Sequence, residues 1–309
     1  MRKMKRTKII VVIVTAALLV QAGYISYSMI GSSIFEDSSE KVSNKIADSR
    51  NQINGDGKSE ENKKSTVKAN DKLQDDFSLE ISNEILDIIK SSDPEKCTRN
   101  VENYKNLLKE LNVHISFKNE IERLIKNNYK LPDILTAYSF LNDNYGRMKD
   151  IEVLVGEKAS GIQWSQIFKK YIRNNPEFVP SNFDPQYLDK LLQIPGISHD
   201  VIMIADRVSQ KANADFDEVI DKKLNGLSWR LINAQYGIIN GLEKSPHLSV
   251  TREQLDKYSN KSKLSEKQVI EAMALSDKLG LSVDDVLEAV KKGLSKEDIY
   301  SNAYREKYY

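Results

Sequence analysis

Apolar residues fall into three regimes along the chain. From Ile9 to Ile30 they run almost unbroken, from Gly31 to about Asp75 they are scattered among Ser, Asn, Lys, Glu and Asp, and from Asp76 onward they recur at intervals of three, four and seven. The last spacing puts apolar side chains on one helical face and predicts short amphipathic helices to the end of the chain. DDFSLEISNEILDIIKSSD and VENYKNLLKELNVH predict a leading helical pair over 76–114.

Past that pair the pattern repeats. GIQWSQIFKKY, from Gly161 to Tyr171, is echoed by GLSWRLINAQY, from Gly226 to Tyr236, and by the segment around Gly293 in AVKKGLSKEDIYSNAY. With the three glycines in register, Leu154, Val219 and Val286 fall seven residues before them, and Val155, Ile220 and Leu287 six before. Ile151, Phe216 and Val283 fall ten before. Asp150, Asp215 and Ser282 stand eleven before, and all three are residue types that cap helix N-termini. Each glycine then reads as the residue just past a helix end, where a left-handed backbone is needed. Ser228 and Ser295 signal a second helix after the turn, with Ile167, Ile232 and Ile299 six past their glycines. Upstream, Ser198 and Ser265 mark a further helix, which copy one supplies as LPDILTAYSFL with Pro132 in its first turn. Leu188-Asp189-Lys190, Leu255-Asp256-Lys257 and NEIERLI around Ile121 predict one more helix per copy.

Trp164 and Trp229 lie three residues past their glycines, where copy three has Lys296. A tryptophan at a helix start under a glycine turn buries a large ring area and serves as a packing anchor. The competing reading is an exposed ring stacking on sugar or peptide, and helical spacing favours the core.

The N-terminal regime has a different logic. MRKMKRTK carries five basic residues ahead of IIVVIVTAALLV, the order of a secretory signal. Basic residues before the apolar run retain the N-terminus in the cytoplasm, so the chain beyond the run is carried across the membrane. Apolar character continuing to Ile30 is long enough to cross a hydrocarbon core of about 30 Å, which predicts an uncleaved signal anchor. The alternative is cleavage near Val20-Gln21-Ala22 and secretion. The polar segment after Ile30 cannot bury enough surface to offset its ordering entropy and predicts a disordered linker.

Composition narrows the chemistry. Lys plus Arg number 46 and Asp plus Glu 45, a balance of +1 that argues against a dedicated polyanion binder. Cys97 is the sole cysteine, so no intramolecular disulfide is available. His114, His199 and His247 are 85 and 48 residues apart and suggest no local metal site. The sequence holds no HExxH, CxxC, GxSxG, glycine-rich phosphate loop or EF-hand loop. Asp284-Asp285 opens a helix and Asp75-Asp76 ends the linker. No catalytic, cofactor-binding or metal-ligating residue is therefore assigned, and no cofactor is expected.

Two resemblances bear on function. EAVKKGLSKEDIYSNAY is similar to a helix-turn-helix DNA-binding motif, although Glu297, Asp298 and Glu306 in its second helix would repel phosphate. SVDDVLEAVKKGLSKEDIY and FDEVIDKKLNGLSWRLI resemble short helical repeats in uncharacterised exported proteins of Gram-positive bacteria, a resemblance that carries no catalytic residue.

The expected fold is all-α: a signal anchor over 1–30, a linker over 31–75, the leading pair over 76–114, and three related modules of about 65–68 residues over 115–180, 181–245 and 246–309. The expected role is a membrane-tethered extracytoplasmic interaction or scaffold module of the cell envelope. Its partners would be the membrane, through residues 9–30, and a protein or envelope component. The alternatives are an enzyme acting on envelope polymer and a membrane-bound regulator with cytoplasmic DNA-binding modules.

Overall fold

In the computed structural model, the residues described are 80–309, Pro246 excepted, together with Val12–Thr15. The expected linker lies outside them, as does the expected anchor apart from those four residues. Among the described residues the fold is helical, with fourteen helices and one pair of short strands.

The leading pair forms as α1 (Asn83–Ser92) and α2 (Cys97–Glu110). A four-helix order then recurs three times. Copy one supplies α3 (Ile115–Lys126), α4 (Leu131–Asp143), α5 (Asp150–Ala159) and α6 (Trp164–Asn174). Copy two supplies α7 (Pro185–Leu192), α8 (His199–Ala212), α9 (Phe216–Leu224) and α10 (Trp229–Gln235). Copy three supplies α11 (Arg252–Ser262), α12 (Glu266–Leu279), α13 (Val283–Lys291) and α14 (Lys296–Tyr308). Strand β1 (Val12–Thr15) pairs antiparallel with β2 (His247–Val250), a short departure from the all-α expectation. No helix among the described residues is long and apolar enough to cross a membrane.

Local chemistry accounts for the helix starts. Ser198 and Ser265 cap α8 and α12 by accepting from the backbone N–H groups of Val201 and Gln268, as their spacing predicts. Asp215 caps α9 and Ser282 caps α13 in the same way. Asp150 departs from this register. It is the first residue of α5, and its carboxylate accepts from the N–H of Arg147 three residues earlier, so in copy one the acid sits inside the helix it was expected to cap.

The chain divides into two compact units. One comprises Ser26–Gly156 and Pro180–Lys244, and its described helices are α1–α4, most of α5, and α7–α10. In it α1 packs on α3, α2 on α4, and α8 on α9. Leu191, Ala205, Val208, Val219, Trp229 and Ile232 are all buried in one hydrophobic cluster there. The other unit comprises Met1–Ile25, Glu157–Val179 and Ser245–Tyr309, and its described helices include α6 and α11–α14. In it α12 packs on α13 and α6 on α14. The helices of copy one are thus shared between the two units.

Candidate functional site

The repeated glycine turn is the element that the sequence singles out most strongly, and its geometry is the same in every copy. Gly161, Gly226 and Gly293 have φ of 92°, 85° and 82°, the left-handed region that carries a penalty for a Cβ. Each follows a helix end, and each makes the same pair of closing bonds. The glycine N–H donates to the carbonyl three residues back (Lys158, Lys223, Val290) at 2.9–3.0 Å. The next residue's N–H donates to the carbonyl five residues back (Glu157, Lys222, Ala289) at 3.1–3.3 Å. This is the Schellman arrangement, which satisfies helix-end carbonyls that would otherwise lack partners. The wider bond comes from the N–H of the apolar residue after each glycine, Ile162, Leu227 or Leu294, a donor that any residue but proline supplies.

The turn aims the following helix, and that helix drives its signature side chains inward. Trp164 and Trp229 are the first residues of α6 and α10 and are 4% and 0% exposed, so the packing reading of these rings holds. Ile167, Ile232 and Ile299 are buried in all three copies. Trp164 stacks on Phe168, and Phe168 meets Tyr304 of α14 edge-on at 6.2 Å. The indole N–H of Trp164 donates to the Tyr309 hydroxyl at 2.9 Å. In copies one and two a lysine three residues before the glycine lies over the tryptophan, with Lys158 6.0 Å from the Trp164 ring centre and Lys223 5.2 Å from that of Trp229. In copy three both positions change. Val290 replaces the lysine, and Lys296 replaces the tryptophan and pairs with Glu177 at 2.7 Å.

Other polar gatherings are explained by structure. Asp206 is 2% exposed and accepts from both the N–H and the hydroxyl of Ser181, each at 2.7 Å, and from Gln210, which fastens the 175–184 connection to α8. Glu243 accepts from the N–H groups of Trp229 and Arg230 at the start of α10 while pairing with Lys223. Lys118 and Glu122 form an i,i+4 pair on α3. The Tyr104 phenol is pushed well above its ordinary range, first by burial and then by the Glu122 carboxylate. Asn240 bridges α4 and α10, donating to the Asn142 carbonyl and accepting at its own carbonyl from the Asn233 side chain. Nothing in the sequence flags this bridge, because asparagine in a loop normally reads as turn chemistry.

A further gathering lies at the end of α8. The loop before α5, longer in copy one than in the other copies, brings Tyr145 and Arg147 to the end of α8. The Arg207 guanidinium lies 3.9 Å from the centre of the Tyr145 ring, and Arg147 donates to the Lys211 carbonyl. Burial, together with Arg147 and Arg207, holds the Lys211 ammonium below its ordinary pKa, with Asp150 opposing the shift. The three cations are half-buried and engaged within the chain.

The histidines do not converge. His114 caps α3 through Nδ1, His199 is exposed at the start of α8, and His247 lies on β2. Cys97 is half-buried in the first turn of α2. Among the described residues no group of three His, Cys, Asp or Glu side chains is placed to hold a metal ion. No family model, curated protein or solved structure matches the chain.

Proposed function

We propose that this chain is a membrane-tethered, extracytoplasmic helical-repeat protein that acts as an interaction or scaffold module of the cell envelope. The observation that carries the reading is the glycine turn, built three times with the same bonds and with its signature side chains turned inward. What repeats is architecture, and a repeated architecture multiplies surface rather than chemistry. The tether rests on the order of basic residues, apolar run and polar linker at the N-terminus. In this reading residues 9–30 hold the protein to the membrane and the helical body meets its partner outside the cytoplasm.

The test is protease digestion of intact cells. Loss of the helical body to protease added outside supports the proposal. Protection in intact cells with digestion after lysis overturns it in favour of a cytoplasmic regulator. That second outcome is disfavoured by the side chains that would lead α14 into a DNA groove, since Lys296 is paired with Glu177 and Asp298 with Ser295.

A further inference from the structure

Copy two departs from copy one at one place. The residue before the N-cap of its first helix, the third residue after that cap and the residue ten before the glycine are Phe183, Tyr187 and Phe216. The equivalent residues of copy one, Val113, Phe117 and Ile151, are 1%, 2% and 0% exposed. In copy two all three are aromatic and half-buried at the margin of the hydrophobic cluster, with exposed chain beside them at Asn182, Asp184 and Asp215. The ring centres lie 4.8 Å apart for Phe183 and Phe216, 6.1 Å for Phe183 and Tyr187, and 6.5 Å for Tyr187 and Phe216. Aromatic faces carry negative potential and attract cations.

The charge beside the rings has the same sign. The Tyr187 hydroxyl donates to the Asp217 carboxylate at 2.6 Å. Burial, then Asp217, then Asp215 and Asp221 hold the Tyr187 phenol above its ordinary range. Copy one shows what a neighbour supplies at this place. There the Arg230 guanidinium, from α10 of copy two, is 2% exposed and approaches the Val113 carbonyl at 3.5 Å. Arg230 stands four residues past its glycine, and the fourth residue past Gly293 is Glu297, so the repeat supplies no second arginine for copy two. It supplies instead a charge of the same sign as the aspartates.

We propose that Phe183, Tyr187 and Phe216, with the Asp217 carboxylate, form a docking surface for a partner protein segment that presents arginine. A guanidinium stacks on aromatic faces while its fork of N–H groups donates to carboxylate and carbonyl oxygens, a combination that a lysine ammonium does not match. The partner's arginine takes at copy two the place that Arg230 takes at copy one. This inference deepens the reading of the chain as an interaction module and rests on it, but not on which side of the membrane the helical body lies.

The experiment uses the full chain in non-ionic detergent and a fluorescently labelled, alanine-based peptide with arginine at every fourth position. Its counterpart carries citrulline, which keeps the planar side chain and loses the charge. Anisotropy at low salt should show the arginine peptide binding about tenfold more tightly than the citrulline peptide. Two variants locate the site. Phe183→Val with Phe216→Ile shrinks the rings to the aliphatic types that copy one carries, and Asp217→Asn removes the charge while leaving an acceptor for Tyr187. Each should weaken the arginine peptide about tenfold and leave the citrulline peptide unchanged. Asp256→Asn, which removes an exposed carboxylate of α11, should change neither. Equal binding of the two peptides, parental affinity in Asp217→Asn, or a loss in Asp256→Asn as large as that in Asp217→Asn overturns the proposal. Because Asp217→Asn leaves the rings in place, it decides the matter even where the double variant fails to fold. Intact-cell digestion does not depend on these side chains, so an error in the assigned side of the membrane is distinguishable from an error in the docking surface.

Discussion

At the scale of single residues, the glycines separate two reasons for the same residue type. A Cβ at Gly293 would meet nothing within 4 Å, so the cost of a side chain there is the left-handed backbone itself. A Cβ at Gly241 would lie 2.7 Å from the carbonyl oxygens of both Leu111 and Asn112, so the cost there is collision with a neighbouring backbone. We expect Gly293→Ala to lower unfolding free energy by about 1 kcal/mol. Gly241→Ala should cost more, because a backbone cannot swing aside as a long side chain can. Chemical denaturation of the two variants side by side checks the order, and an equal loss would refute the distinction. The Gly293 cost is legible in the sequence, since three aligned glycines at helix ends announce the turn. The cost at Gly241 is not, because it depends on a contact about 130 residues away in the chain.

At the scale of elements, caps make the helices readable. Where a serine begins an apolar-periodic run, the helix starts one residue later, as at Ser198, Ser265, Ser282 and Ser295. Asp150 breaks the rule because a carboxylate serves an N-terminus equally well from inside the first turn, and residue type alone does not separate the two positions. Strand β2 is not legible, since four residues are too few to establish a period. At the start of α14, Ser295 and Asp298 form a complete capping box. Hydrogen bonds from the Ser295 hydroxyl and backbone N–H hold the Asp298 carboxyl below the usual aspartate range. A group with a depressed folded pKa stabilises fully above its unfolded pKa and loses that contribution as pH falls through the folded value. Ser295→Ala should therefore cost about 1 kcal/mol at neutral pH. Its melting temperature should also approach that of the parent as the pH drops below the carboxylate range. A gap between the two proteins that stays constant across acid pH would argue against the box.

At the scale of the molecule, periodicity identifies three copies and their helix order but not which helix packs with which. Long-range partner choice leaves no trace in spacing, because any two apolar faces of similar width read alike. The structure pairs α6 of copy one with α14 of copy three, with Phe168 against Tyr304 and the Trp164 indole on the Tyr309 hydroxyl. This exchange makes the copies interdependent. A fragment covering 245–309 alone would expose the aromatic face of α14 and should be poorly structured, whereas a synthetic peptide of residues 157–179 added in trans should restore its helical circular dichroism. Full helicity of the fragment without the peptide would count against this. If complementation holds, the copies are not separable beads. A single point of damage in copy one would then be felt in copy three, and recombination at the apparent copy boundaries would yield orphaned halves.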